Sequence, residues 1–130
     1  MKVAFATEDM KRVDAHFGWA RSIMVYDLDV DTCSLVKTYV FDGTLEQDGN
    51  EDKINPKLEA IRDCAIVYVA DIGGPAAARV VANKIHPVKA KNLEFIDDLI
   101  KEIQKVMKGT PPPWLRKAMM KGQETPANFE

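Results

Sequence analysis

Three features of this 130-residue chain predict an α/β domain built on a five-stranded mixed sheet with helices on both faces. Val3-Ala4-Phe5-Ala6 and Cys64 to Ala70 are continuous apolar runs, the pattern of strands covered on both sides. Two further strand-like runs are separated by a short Asp-rich segment, which calls for an antiparallel hairpin. The later strands are reached through helical segments, which requires crossovers to parallel neighbours. The predicted order is strand, strand, strand, helix, strand, helix, strand, helix.

Residues 2 to 7 form the first, central strand. Ser22 to Tyr26 and Leu35 to Phe41 form the second and third, joined through Asp27-Leu28-Asp29-Val30-Asp31-Thr32, whose aspartates favour turns. Asp42 to Lys53 is a polar, acidic connection. Asp48, Asn50, Asp52 and Glu59 fall at calcium-loop offsets, but Lys53 stands where the loop needs glycine, so a solvated connection is expected instead. Asn55-Pro56 reads as an N-cap and first-turn proline for a helix reaching Arg62.

After the most apolar strand, Asp71-Ile72-Gly73-Gly74-Pro75-Ala76-Ala77-Ala78-Arg79 turns directly into a helix that runs to about Lys84. Its N-terminus presents unpaired N–H groups and a positive dipole end, suited to an anion; the two glycines could equally serve close packing of helix on strand. His86-Pro87-Val88-Lys89 is a fifth strand, at an edge because proline donates nothing to a ladder. Asn92 is expected to cap a helix whose apolar positions Leu93, Ile96, Leu99, Ile100, Ile103, Val106 and Met107 mark one face. Residues 1–108 therefore make the α/β domain. Residues 109–130 make a Pro-rich linker and a tail with a short helix, whose Trp114, Leu115, Ala118 and Met119 stripe folds back on the domain or docks on a partner.

Net charge −2 and a pI near 5.7 offer no global attraction for nucleic acid or anionic lipid. With no apolar run of about 18 residues and no secretion-signal layout at the N-terminus, a cytoplasmic protein is expected, with no membrane partner. Two cysteines, Cys33 and Cys64, and two histidines, His16 and His86, are scattered. A resident cluster or closed zinc site usually takes four such ligands, so a transient guest is easier to accommodate. Cys64 and His86 read as structural.

In sheets of this kind ligands sit beyond the carboxyl ends of the parallel strands. Two features converge there: the loop Asp14-Ala15-His16-Phe17-Gly18, and the Gly73-Gly74 helix start. An imidazole in that loop can ligate a metal, move a proton or hydrogen-bond locally. Phe17 supplies an apolar wall, and Gly18 permits a positive-φ turn or close approach.

Together, the His16 loop, Gln47 to Lys53, Asp71 to Arg79, His86 to Lys89 and the Trp114-Leu115 tail resemble the nitrogenase iron-molybdenum cofactor-binding family, the NifX and NafY type, over about residues 2 to 121. The resemblance implies a ribonuclease-H-like three-layer fold without nuclease or other enzymatic activity. It implies a carrier that transiently binds the iron-molybdenum cofactor or an iron-sulfur precursor cluster. The partners implied are nitrogenase cofactor assembly proteins or apo-nitrogenase, with the chain a monomer or a cluster-bridged dimer. The family's histidine matches His16, the implied metal ligand. Some members carry cysteines where this chain has Val69, Ala70 and Asp71. Arg21 and Arg79 would supply charge to an anionic cluster, and the Gly73 and Gly74 amides would supply donors.

Two other readings compete. A metal-dependent phosphodiesterase would use Glu8, Asp9, Asp14 and Asp71, but the first strand carries Ala4 and Ala6 where an internal carboxylate would stand. A protein-interaction module would dock through the Trp114 tail.

Overall fold

The computed structural model describes residues 1–41, 54–91 and 93–121. The rejected calcium-loop positions Asp48, Asn50 and Asp52, the Asn92 cap and the polar end of the tail lie outside them. Strands β1 (Lys2–Thr7), β2 (Ser22–Leu28), β3 (Cys33–Val40), β4 (Ile66–Val69) and β5 (His86–Lys89) form one sheet in the order β3-β2-β1-β4-β5. β1 pairs antiparallel with β2 and parallel with β4, which is in turn parallel to the edge strand β5. The five-stranded mixed sheet read from the sequence is therefore the one observed.

Alternation along the strands supplies two cores. Val3, Phe5, Met24, Ile66 and Tyr68 pack on one face with helices α3 (Ile96–Lys108) and α4 (Pro113–Met120). Ala4, Ala6, Ile23, Val25, Val67 and Val69 pack on the other with α1 (Ile54–Ala60) and α2 (Gly74–Ala82). Helices thus cover both faces.

Strand and helix ends shift by a few residues, and two helix starts differ from the sequence reading in an instructive way. α1 starts at Ile54, so Asn55 and Pro56 lie within its first turn, where a missing proline N–H leaves no helical bond unmade. α3 starts at Ile96, not after Asn92: Leu93 is half-exposed at φ 53° and precedes the helix. The reason is tertiary. Arg12 and Phe95 form an isolated antiparallel bridge, and the Lys11 carbonyl accepts from the Ile96 amide at 2.9 Å. The opposing loop thereby satisfies a first-turn donor that a cap would otherwise hold, while Asp97 and Asp98 complement the dipole.

The tail helix folds back. Leu115 and Ala118 are buried in the α3-side core. Trp114 stacks on His86 with centroids 4.2 Å apart and planes 16° from parallel. Lys121 Nζ donates to the carbonyls of Cys64, Asn83 and Lys84 at 2.7, 3.0 and 3.1 Å.

Leu115→Ala is expected to lower the unfolding free energy by about 2–5 kcal/mol in urea titration, the cost of an uncollapsed core cavity. Burial lowers the His86 pKa from 6.5. Its neutral form therefore contributes stability that is present above pH 6.5 and lost as pH falls through the depressed folded value. Stability measured between pH 7 and pH 5 should fall more steeply for wild type than for His86→Phe, which keeps an aromatic ring against Trp114.

Candidate functional site

The carboxyl ends of β1 and β4 and the amino end of β2 share one edge of the sheet, and the His16 loop is built onto it. Past β4, residues 15–17 continue the sheet as a short parallel partner of Ala70 and Asp71. The Ala70 amide donates to Ala15 O at 2.9 Å and the Phe17 amide to Asp71 O at 2.8 Å. Phe17 then opens a single 3-10 turn, Phe17–Trp19. Its ring is 0% exposed. It anchors the loop in the α1–α2 core and does not line an open site.

His16 is the N-cap of that turn and only partly buried. Its Nδ1 accepts from the Gly18 amide at 3.1 Å. Gly18 has no positive φ; a Cβ there would meet His16 Cε1, His16 Nδ1 and Ile54 Cδ1, each at 3.5 Å. Those are ordinary van der Waals separations, so neither turn geometry nor tight packing demands glycine here, and the His16 ring and α1 simply lie against it.

The acidic residues of the loop hold the loop together. Asp9 Oδ1 accepts from the Lys11 and Arg12 amides at 2.8 Å each, and Arg12 Nε donates to its Oδ2 at 2.9 Å. These bonds, the Arg12 amide foremost, hold the Asp9 carboxyl well below the usual carboxylate range. Asp14 accepts from the Glu8 amide at 2.7 Å. Glu8 in turn accepts from the Arg21 amide and lies 3.6 Å from its guanidinium. Asp71 accepts from the Ile72 amide and pairs with Lys89 at 3.2 Å, which with nearby His16 lower its pKa. Among the described residues no three His, Cys, Asp or Glu side chains come together as a metal group. The carboxylates a two-metal hydrolase would need are committed to amides and cations, which leaves that reading unsupported.

Gly73 and Gly74 stand two and three residues beyond Asp71, which His16 bridges. Gly73 has φ −71°, neither glycine has a positive φ, and a Cβ on either would meet nothing within 4 Å. Neither turn strain nor packing inside the chain therefore asks for glycine. What the pair does is leave the first turn of α2 open, with Gly73 making no side-chain cap. Arg21 lies at the same edge, strongly exposed. Arg79 is further along α2 and turned to α1, where its Nη2 donates to Asn55 Oδ1. The two residues share a cleft of about 230 Å³ with Leu58, Glu59 and Arg62.

The remaining soft ligands lie at the opposite edge. Cys33 opens β3 opposite Leu28, Cys64 precedes β4, and His86 pairs with Ile66 at the start of β5. With about 3.3 Å per residue, a strand's length of roughly 15 Å separates them from His16. Burial pushes the Cys64 thiol up to about 12, so it stays protonated and a poor ligand.

One residue at the site escaped the sequence reading. Lys57, on α1, is 2% exposed, donates from Nζ to Gly18 O at 2.9 Å and lies 5.3 Å from the Phe41 ring centroid. The available signal was spacing: Lys57 is four residues before Ile61 and beside Leu58, both buried, so a helix register places it inward.

Comparison with known proteins places this geometry in context. Residues 1–106 match the family model described as dinitrogenase iron-molybdenum cofactor. The chain is 60% identical over its full length to protein NifX of Herbaspirillum seropedicae, covering 89% of that protein. It is 42% identical over 92% of its length to protein NifX of Sinorhizobium fredii, covering 78% of that one. The crystal structure of PH0822 superposes with a TM-score of 0.59 at 22% identity, over 81% of this chain and 90% of that chain, a likeness of fold.

Gly74→Ala should leave the unfolding free energy unchanged or raise it by up to about 1 kcal/mol in urea titration, because the site has room and no positive φ, whereas Gly73→Ala, at the N-cap, should cost no more than about 1 kcal/mol. A larger destabilisation would show that the glycines are structural.

Proposed function

This chain belongs to the dinitrogenase iron-molybdenum cofactor family, and from that premise we propose that it is a non-enzymatic carrier in nitrogenase cofactor biosynthesis. Its cargo is the iron-molybdenum cofactor or an iron-sulfur precursor cluster, bound transiently at the His16 edge of the sheet. The observation that carries this reading is the pairing of the His16 loop with the start of α2. Bridging Asp71 brings a partly exposed imidazole next to an uncapped, glycine-opened helix N-terminus. That combination suits an anionic cluster rich in acceptor atoms.

His16, the Gly73 and Gly74 amides and Arg21 are the contacts assigned to the cargo. Phe17 and Gly18 act behind them, as anchor and ring rest. Arg79 is assigned to the rim, where leaving Asn55 would free it to reach an anion. The ribonuclease-H-like label is part of the same reading, and the β3-β2-β1-β4-β5 order with β2 alone antiparallel to the rest supports it. The carrier works in the cytoplasm, as a monomer or cluster-bridged dimer, with cofactor assembly proteins or apo-nitrogenase. No helix among the described residues is long and apolar enough to cross a membrane.

Anaerobic gel filtration of the apoprotein with isolated iron-molybdenum cofactor tests the proposal. Iron should co-elute with wild type and be lost or clearly reduced with His16→Ala. Equal loading of both proteins would move the site away from His16, and no loading of wild type would end the carrier reading for this cargo.

A further inference from the structure

The way His16 is held says how it meets its cargo, an inference that rests on the carrier reading and deepens it. Metal-ligating histidines almost always donate their second ring N–H to a carboxylate, a carbonyl or water. His16 does the reverse: its Nδ1 accepts from the Gly18 amide at 3.1 Å. A backbone N–H can only donate, so Nδ1 carries no proton and the neutral ring carries it on Nε2. A metal could take Nε2 only after that proton left or moved to Nδ1, and a proton on Nδ1 would expel the Gly18 amide.

Gly18 is itself fixed from its other side. Its carbonyl accepts from Lys57 Nζ at 2.9 Å, and Lys57 is 2% exposed. Backbone bonds to Ala70 and Asp71 hold Ala15 and Phe17, the residues on either side of His16. The ring also lies where a Cβ on Gly18 would touch it. One residue thus connects a buried ammonium on α1, through its carbonyl, to the tautomer of the partly exposed imidazole, through its amide.

We propose that Lys57, acting through Gly18, is a positioning residue that fixes His16 as an Nε2–H donor, so that the loop offers the cargo a hydrogen bond to a cluster sulfide instead of a metal–nitrogen bond. Sulfides of such clusters accept hydrogen bonds from protein N–H groups. The Gly73 and Gly74 amides are donors of the same kind, so the whole edge presents one chemistry. A contact of this type forms and breaks without proton transfer or ligand exchange, which suits a protein that must give its cargo away.

Nitrogen-15 spectra of histidine-labelled apoprotein read the tautomer directly. Wild type should show His16 protonated on Nε2. Lys57→Met should shift the His16 signals toward those of a free imidazole and speed Gly18 amide exchange by roughly tenfold or more. An Nδ1-protonated His16 in wild type, or an unchanged spectrum in Lys57→Met, overturns the proposal. If Lys57→Met does not fold, Lys57→Gln and the wild-type spectrum decide the same question.

Electron–nuclear double resonance on labelled protein loaded with isolated iron-molybdenum cofactor reads the contact. Only a weak nitrogen coupling, absent in His16→Ala, is expected; a strong coupling lost in His16→Ala would mean direct ligation and overturn the proposal. If wild type takes up no cofactor, the carrier reading falls and the cargo half of the proposal with it, while the apoprotein spectra still decide the link from Lys57 to His16.

Discussion

The double burial of β1 is the constraint on which the site depends. Val3, Ala4, Phe5 and Ala6 are all 0% exposed, with β2 hydrogen-bonded on one side and β4 on the other. Period-two alternation sends large and small side chains to different faces. Phe5 stacks on Tyr68 at 5.2 Å and meets Tyr26 edge-on at 5.6 Å, making a thick aromatic core beneath α3 and α4. On the other face Ala4 and Ala6 occupy little volume, and the cluster there is completed by Ala15, Phe17 and Ala20 from the loop. The loop is therefore part of the core, and burying Phe17 turns its neighbour His16 toward the rim.

Much of this was legible in the sequence, for reasons that are local. The continuous apolar runs of β1 and β4, the hairpin of β2 and β3, and the proline that sends β5 to an edge each follow from a few neighbouring residues. The Gly-Gly-Pro-Ala start of α2 was legible in the same way. What was not legible depends on partners distant in sequence. The start of α3 is set by Lys11 and Arg12, more than eighty residues away in the chain. Helix spacing can turn Lys57 inward, but its contact with Gly18 O depends on the fold, and Arg79 reads as a site cation until Asn55 takes it up. The convergence of His16 with Gly73-Gly74 was visible only because parallel strands place their carboxyl ends together; the bridge to Asp71 that joins them could not be read from pattern.

Three of the four carboxylates at the His16 edge are paired with cations. Glu8 faces Arg21, Asp9 faces Arg12 and Asp71 faces Lys89, while Asp14 Oδ1 accepts from the Glu8 amide and the Thr7 hydroxyl. Most of these pairs are exposed and worth little to stability. Their consequence is electrostatic: an anion approaching the edge meets no cluster of uncompensated carboxylates, and the oriented N–H groups of the loop and of α2 set the local sign. This arrangement is how, on the proposed reading, an acidic chain holds an acceptor-rich, anionic guest at the His16 edge.

The opposite edge of the sheet is built for permanence. Trp114 covers His86, Lys121 gathers three carbonyls, and Cys64 is buried as a thiol. Thiolate coordination is the means by which iron-sulfur proteins keep clusters for good, and this fold keeps its buried thiol where no cluster can reach it. At the His16 edge the groups assigned to the cargo are instead hydrogen-bond donors, on a loop held by Lys57 and by backbone bonds to Ala70 and Asp71. Rigidity limits the ordering cost of binding, and the lack of thiolates limits its depth. On the proposed reading, a site with both properties orders little chain on capture and breaks no thiolate bond on release, which suits passing a cluster from donor to acceptor.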